Sequence, residues 1–184
     1  MMKIFDIRNK MKLNIKDITR ISLFVALSSL SRIGMSSLPN IQLTTIIIIL
    51  ITVNFGLRYG LLVAILTPVT SNLILGTGVW TIWQMISWSL VAIFSFIFKK
   101  FKNNIYIMSL VSLISGYIFG FSISIQSAWT YGLNMEKFIV YYLSGLSFDT
   151  LHSVSNMVFC ILTLKKINNI SSKYIKGEIN NHED

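Results

Sequence analysis

Charged residues are scarce in this chain of 184 residues. Only 12% are Asp, Glu, Lys or Arg, against about 25% in an ordinary soluble domain. Hydrophobic residues make up 53%, and the mean hydropathy is +0.66. A folded domain of this size exposes too much surface to hide so many apolar side chains from water. The composition therefore argues against soluble enzymes, nucleic-acid-binding domains and disordered chains, and it predicts an all-α integral membrane protein.

Sequence motifs for common chemistry are missing as well. The chain contains no GxxxxGK[ST] nucleotide loop and no HExxH, CxxC or GxSxG motif. Its single cysteine, Cys160, cannot form an internal disulfide, and its two histidines, His152 and His182, lie far apart. We therefore expect no catalytic residues, no metal site, no cofactor and no nucleic-acid partner.

Apolar segments recur along the chain at about the 20 residues that cross ~30 Å of hydrocarbon. The predicted spans are Ile18 to Met35, Ile41 to Phe55, Leu57 to Leu75, Trp80 to Phe98, Ile105 to Ile125 and about Ser144 to Leu164. The β-branched run at 46–51 would favour a strand in water, but an open strand in lipid leaves backbone groups unpaired, so we predict a helix. Residues 136–143 are predicted to form an interfacial helix or cap. The organisation is then a basic segment at 1–17, a six-helix transmembrane domain at 18–164 and a tail at 165–184.

The positions of the basic residues give an independent test of six spans. With the N-terminus inside, fourteen of the sixteen Lys and Arg residues fall on the inner side, and only Arg32 and Lys137 fall outside. Because cytoplasmic loops are enriched in Lys and Arg, this bias predicts that both termini are cytoplasmic. Membrane lipid is a further expected partner, through the basic residues Lys10, Lys12, Lys16 and Arg20.

Three polar residues lie on one face of the last span. Asp149, His152 and Asn156 are spaced i, i+3 and i+7, and Asp149 is the only acid inside a predicted span. Polar groups inside a membrane usually mark a functional path or pair with one another. The stripe is therefore interpreted as one wall of an outward-facing pocket, and the alternative is an Asp–His pair that holds two helices together.

A second polar and aromatic face occurs in the fourth span, where Trp80, Trp83, Gln84 and Ser87 align and Trp88 is adjacent. An aromatic belt at the membrane interface explains Trp80 well and Trp83 in part. It explains the deeper Gln84 and Trp88 poorly. Aromatic rings beside an amide can hold a planar ligand by stacking and hydrogen bonding, so this face is the predicted second wall.

Further polar residues point to the same outer half of the molecule. Arg32 ends the first span, Asn40 and Gln42 begin the second, and Asn72 lies near the outer end of the third. Each has an ordinary explanation as a cap or an interface anchor. Together they favour a site that binds an extracellular solute near the outer face.

Small residues in the first span have the spacing that allows close helix contact. Ser22 and Ala26 are four apart, and Ser29 lies on nearly the same face. Gly116 and Gly120 repeat the spacing in the fifth span. Packing within the bundle is one interpretation, and contact with a separate membrane partner is the other for Ser22 and Ala26.

Several segments together resemble the substrate-binding S component of energy-coupling factor (ECF) transporters, over nearly the whole chain. They are ISLFVAL at 21–27, PNIQ at 39–42, SN at 71–72, GTGVWTIWQM at 76–85 and SFDTLH at 147–152 with Asn156. The resemblance implies a small six-helix vitamin binder that works with a transmembrane coupling subunit and two cytoplasmic ATPases in a prokaryotic plasma membrane. It also implies a partner-contact face on the first span, here Ser22, Ala26, Ser29 and Leu30, where family members often carry Ala-xxx-Ala.

The resemblance implies that the substrate is a vitamin or related micronutrient. Cobalamin or another corrinoid is favoured, because the WTIWQ segment is similar to a subgroup associated with cobalamin-type uptake. Folate, riboflavin and pantothenate stay open as alternatives. The chain is expected to be no enzyme, since ATP hydrolysis would belong to other subunits. The competing functions are a stand-alone secondary carrier and a membrane scaffold or enzyme.

Overall fold

The computed structural model describes residues 14–180, with side chains described as far as residue 166. Lys10 and Lys12 of the predicted lipid contact lie outside the described residues, as do the side chains of most of the tail. The described chain forms six α-helices and no strand: α1 (Ile15–Gly34), α2 (Thr44–Phe55), α3 (Leu57–Leu75), α4 (Val79–Ile97), α5 (Ile105–Tyr131) and α6 (Met135–Asn180), with a 3-10 turn at Lys99–Phe101.

Asparagine side chains set the starts of three helices. The Asn14 side chain accepts from the Asp17 amide at 2.8 Å, and the Asp17 carboxylate accepts from the Asn14 amide at 3.1 Å. This reciprocal pair satisfies two free amides of the first turn, so α1 begins three residues before the predicted span. Asn104 caps α5, and Asn134 accepts from the Lys137 amide at the start of α6.

Helix α2 forms the centre of the bundle. Ile48, Ile49 and Val53 are fully buried, which explains a run of isoleucines with no polar face. The helix has 12 residues and is therefore about 18 Å long, which is shorter than the hydrocarbon core. Residues 41–43, predicted as part of a span, instead belong to the irregular segment that leads into α2.

Helix α6 is continuous where the sequence had suggested a break. It begins at Met135 and passes through 136–143 without interruption, so the residues predicted to form an interfacial helix or cap are the first turns of α6 and not a helix of their own. Helix α5 continues to Tyr131, six residues beyond its predicted end, and gives the start of α6 a surface to pack on. The Tyr141 hydroxyl, for example, donates to Ser127 Oγ at 3.0 Å.

The six helices run alternately up and down, so the connections gather at two ends. The Asn40 end carries the connections at 35–43, 76–78 and 132–134, and the Gly56 end carries the connections at Gly56 and 98–104. Gly56 joins α2 to α3 alone, with a φ of +112° that side chains other than glycine rarely tolerate. Helices α3, α4 and α5 are each long and apolar enough to cross a membrane.

Candidate functional site

Two neighbouring cavities open near the Asn40 end of the bundle. The first has a volume of about 350 Å³ and is lined by polar residues from three parts of the chain, Arg32, Ser36, Asn40, Gln42 and Gln84, beside Trp80 and apolar side chains. The second has a volume of about 340 Å³ and is lined by Asp149, Ser124, Tyr141, Ser144 and Phe148, among others. Asn40, Phe119 and Ile123 line both cavities, so the two share a wall.

Arg32 lies at the inner edge of the first cavity and is only 9% exposed. Its Nη1 donates to Ser71 Oγ and, at 3.1 Å, to Asn72 Oδ1. Its guanidinium carbon lies 4.9 Å from the ring centroid of the fully buried Trp88. Within the part of the chain that the structure describes, no carboxylate forms an ion pair with it. The positive charge of Arg32 is thus contacted by neutral groups, and its side chain still borders the first cavity.

Asn72 and Gln84 form an amide pair whose orientation follows from Arg32. Because arginine only donates, the Asn72 atom that it contacts must be the oxygen. Asn72 Nδ2 then donates to Gln84 Oε1 at 2.9 Å and to Thr81 Oγ1 at 2.8 Å. The Gln84 amide nitrogen has no partner among the described residues, and Gln84 lines the first cavity. Asn72 is therefore a positioning residue, and Gln84 presents N–H groups to the cavity.

His152 fixes the backbone of Asn40. Its Nδ1 lies 2.9 Å from the Asn40 carbonyl, which can only accept, so Nδ1 carries the proton. Nε2 then accepts from the Thr45 hydroxyl at 3.1 Å, and Thr45 accepts from Trp88 Nε1 at 3.2 Å. Every donor in this series of hydrogen bonds, from Trp88 through Thr45 and His152 to Asn40, therefore has a partner. His152 is 2% exposed and lines neither cavity, so it is a positioning residue.

Asn40 itself has a φ of +55°, the left-handed conformation that asparagine adopts more readily than most residues. The hydrogen bond from His152 holds the carbonyl of this strained residue in place. A side chain from α6 thereby determines the position of the segment between α1 and α2 at the wall of both cavities.

Asp149 is 8% exposed and lines the second cavity. Among the described residues its carboxylate forms no hydrogen bond and no ion pair. Gly120 of α5 faces it so closely that a Cβ atom at Gly120 would overlap the Asp149 carboxyl group. The absence of a side chain at Gly120 thus makes room for Asp149 between the two helices.

The predicted site residues fall into three groups. Those that line a cavity are Arg32, Asn40, Gln42, Gln84 and Asp149. Those that support the lining are Asn72, Trp88 and His152. The remaining three, Trp83, Ser87 and Asn156, line neither cavity and support neither directly. Trp83 is half-buried, and the Ser87 hydroxyl donates to Ser122. Asn156 is fully buried, and its side chain has no hydrogen-bond partner among the described residues.

Three lining residues escaped the sequence reasoning in different ways. Trp80 fitted an interface belt, yet it lines the first cavity, whereas Trp83 does not. Phe119 and Ile123 carry no polar signal, and apolar residues are expected throughout a membrane helix. A spacing of four residues places them on one face of α5, but only the packing shows that this face borders both cavities.

The predicted partner face on α1 divides into two. Ser22, Ala26 and Leu30 are exposed and form a row at four-residue spacing. Ser29 is buried against α3, where its hydroxyl lies 2.6 Å from Thr70 Oγ1. The outward row and the inward Ser29 therefore belong to different faces.

Comparison with known proteins identifies the family of the chain. A family model described as "ECF transporter, substrate-specific component" matches residues 16–172, which include all six helices except the ends of α1 and α6. No curated protein and no solved structure is significantly similar to the chain. On the extent of the family match, the chain belongs to the substrate-specific components of ECF transporters.

Proposed function

We propose that this protein is the membrane-embedded subunit that captures a small organic micronutrient from outside the cell for an ECF-type transporter. Family membership supports the role of a substrate-specific component. The observation that carries the proposal is the pair of cavities bordered by Arg32 and Asp149, two buried charged groups without ionic partners in the described chain. Buried charges are costly unless something pairs with them, so such groups beside a cavity are expected to meet a ligand.

The proposed topology has six membrane crossings, with both termini in the cytoplasm of a prokaryotic cell. The basic residues of the described chain support it, because Lys16, Arg20 and Arg58 and the lysines of 99–102 belong to the Gly56 end. An excess of Lys and Arg marks the cytoplasmic side. The cavities at the Asn40 end then face outward. Helix α2 is too short to cross the membrane alone, so the segment at 35–43 would complete the crossing. Because irregular backbone inside a membrane must be shielded from lipid, surrounding helices would have to cover this segment.

The proposed partners are a transmembrane coupling subunit and two cytoplasmic ATPases. The exposed row of Ser22, Ala26 and Leu30 supports a contact on α1. The small side chains of Ser22 and Ala26 allow a second membrane helix to approach closely, and the larger Leu30 departs from that pattern. The chain has no nucleotide-binding loop of its own, which agrees with ATP hydrolysis in other subunits.

The cavity volumes favour a substrate smaller than a corrinoid. At about 350 and 340 Å³, the two cavities lie near the lower end of the roughly 300–1,000 Å³ that is usual for pockets that hold drug-sized ligands. A corrin macrocycle with its nucleotide loop is larger than a drug-sized ligand. We therefore propose a smaller vitamin or vitamin precursor in place of the cobalamin that the WTIWQ segment suggested.

Gln84 gives the test of this proposal. Native mass spectrometry of the purified full chain should show one small molecule bound without ATP. Gln84→Leu removes an N–H donor from the cavity, so the affinity for that molecule should fall about tenfold, equivalent to ~1.4 kcal/mol. Gln126→Leu is the matched control, because Gln126 lies near the Asn40 end and lines neither cavity, and among the described residues its side chain bonds only to Thr130.

Transport assays distinguish the competing functions. Uptake into cells should require the coupling subunit and the ATPases. Gradient-driven uptake by the chain alone in vesicles would contradict the proposal and indicate a secondary carrier. Equal loss of binding in Gln84→Leu and Gln126→Leu would reject the cavity as the binding site.

A further inference from the structure

The two cavities present opposite charges. Arg32 borders the first and Asp149 borders the second, and each is at least nine-tenths buried. Neither forms an ion pair within the described residues, and they are not paired with one another. Two unpaired buried charges of opposite sign beside connected spaces call for a ligand that supplies a counter-charge to each.

The first cavity is equipped with donors. Arg32 commits Nη1 to Ser71 and Asn72, which leaves its Nη2 and Nε without a hydrogen bond to the described protein. Gln84 accepts from Asn72 through its oxygen, so its amide nitrogen is the atom left for a ligand. Guanidinium and amide N–H groups together match a carboxylate or a phosphate.

The second cavity is equipped with acceptors. The hydroxyl protons of its polar lining are already used within the protein: Ser124 donates to the Gly120 carbonyl at 3.0 Å, Ser144 to the Tyr141 carbonyl at 2.7 Å, and Tyr141 to Ser127 at 3.0 Å. Their oxygens can therefore only accept further bonds, as the Asp149 carboxylate does. A carboxylate beside such oxygens matches a cation that carries N–H groups.

Between the two cavities lies an ordered aromatic ring. Phe119 lines both, and its centroid is 4.8 Å from Trp88 and 5.3 Å from His152. Both neighbours are hydrogen-bonded and fully or almost fully buried, so the Phe119 ring has a fixed support. Its remaining surface offers an apolar contact for the middle of a ligand.

We infer that the two cavities form one site for a dipolar small molecule, with its anionic group at Arg32 and Gln84, its N–H-bearing cationic group at Asp149, and an apolar or aromatic middle against Phe119. This inference rests on the proposed capture function and names the class of substrate. It predicts that neutral molecules, and molecules with one charge only, bind more weakly than dipolar ones of the same skeleton.

The test uses probes that differ only in their charged ends. The dipolar probes are 4-(aminomethyl)benzoate and the longer 5-[4-(aminomethyl)phenyl]pentanoate, and each is compared with the analogue that lacks the amine and the one that lacks the carboxylate. Dissociation constants are measured by calorimetry on the full chain in detergent. At least one dipolar probe should bind ten times more tightly than both of its single-charge analogues. Equal affinities within both sets, or binding of no probe, would overturn the inference.

Charge-removing variants assign each end of the probe. Asp149→Asn should abolish the contribution of the amine and retain that of the carboxylate, and it breaks no hydrogen bond of the described protein. Arg32→Gln should do the reverse, with Arg32→Lys as a variant that keeps the charge. If Arg32→Gln does not fold, the Asp149→Asn comparison alone decides: an unchanged preference for the dipolar probe overturns the inference.

The outcomes separate this inference from the capture function. A co-purified compound that is neutral or singly charged, with uptake that depends on the ATPases, would overturn the dipolar site and leave the capture function standing. Absence of both a bound compound and ATPase-dependent uptake would overturn the capture function itself.

Discussion

Replacement of Gly116 by alanine tests how closely α5 and α6 must approach. A Cβ atom at Gly116 would lie 2.5 Å from Ser153 Cα and 2.8 Å from Ser153 N. Carbon contacts are optimal at about 3.5–4.0 Å, so the helices would have to separate by about 1 Å. Backbone atoms cannot rotate away, and this separation would weaken contacts along the whole helix pair.

The steric cost can be isolated with a matched control. Gly145→Ala on α6 adds the same methyl group where, apart from the adjoining backbone of α6 itself, no atom of the described residues lies within 4 Å. Both substitutions should raise the free energy of unfolding by about 0.5–1 kcal/mol, because each replaces a flexible glycine within a helix. The difference between the two variants is then the overpacking term, about 1–3 kcal/mol. Gly120→Ala should lie between them, because its clash is with the Asp149 side chain, which can move.

Reversible unfolding in mixed detergent micelles, followed by circular dichroism, gives the free energies for this comparison. We expect Gly116→Ala to be the least stable of the three variants and Gly145→Ala to be the most stable. Equal free energies of unfolding for Gly116→Ala and Gly145→Ala would refute the close contact of the two helices at Ser153.

Three further predictions concern other parts of the bundle. The Tyr59 hydroxyl donates to Asp17 at 2.6 Å and lowers the pKa of Asp17 below its usual 3.8. The ionised Asp17 therefore stabilises the fold above that pH, and this contribution is lost as the pH falls further. Acid unfolding should be less steep in Asp17→Asn. Trp88→Phe should cost about 1 kcal/mol or more in free energy of unfolding, because the Thr45 hydroxyl loses a buried donor. The buried Cys160 should react with a maleimide only after unfolding.

The predictions for Trp88 and Cys160 each have a control. Trp129→Phe changes a tryptophan that is 71% exposed, so it should leave the stability nearly unchanged. Asn103→Cys, at an exposed position, should react with the maleimide at once in the folded protein. Equal maleimide rates at Cys160 and at position 103 would contradict the burial of Cys160. Equal losses in free energy of unfolding for the two tryptophan variants would contradict the Trp88–Thr45 hydrogen bond. Identical acid unfolding curves for Asp17→Asn and the unchanged protein would contradict the Tyr59–Asp17 hydrogen bond.

Helix α2 shows what a local pattern can and cannot predict. The β-branched run at 46–51 would favour a strand in water, and the prediction of a helix, made because an open strand in lipid leaves backbone groups unpaired, is confirmed. The pattern did not show that the helix begins only at Thr44, since the residues at 41–43 (Ile, Gln and Leu) are all readily accepted in a helix. That boundary depends on Asn40, whose carbonyl is held by a histidine 112 residues away.

The polar stripe on α6 shows a similar limit. Periodicity placed Asp149, His152 and Asn156 on one face, but a helix face about 11 Å long meets different neighbours along its length. Asp149 borders a cavity, His152 contacts Thr45 and Asn40, and Asn156 is enclosed. Spacing within one helix cannot distinguish these surroundings, because they are formed by α2 and α5.

The sequence by itself determined that the chain is helical, apolar and basic at one end, because composition, hydrophobic length and charge are properties of each segment alone. The tertiary structure decided which polar residues border a cavity and which support it. Arg32 and Asp149 lie 117 positions apart, and the donor or acceptor role of Gln84 follows from a hydrogen bond that starts on α1. Such roles depend on the partner that each atom meets, and those partners come from other helices.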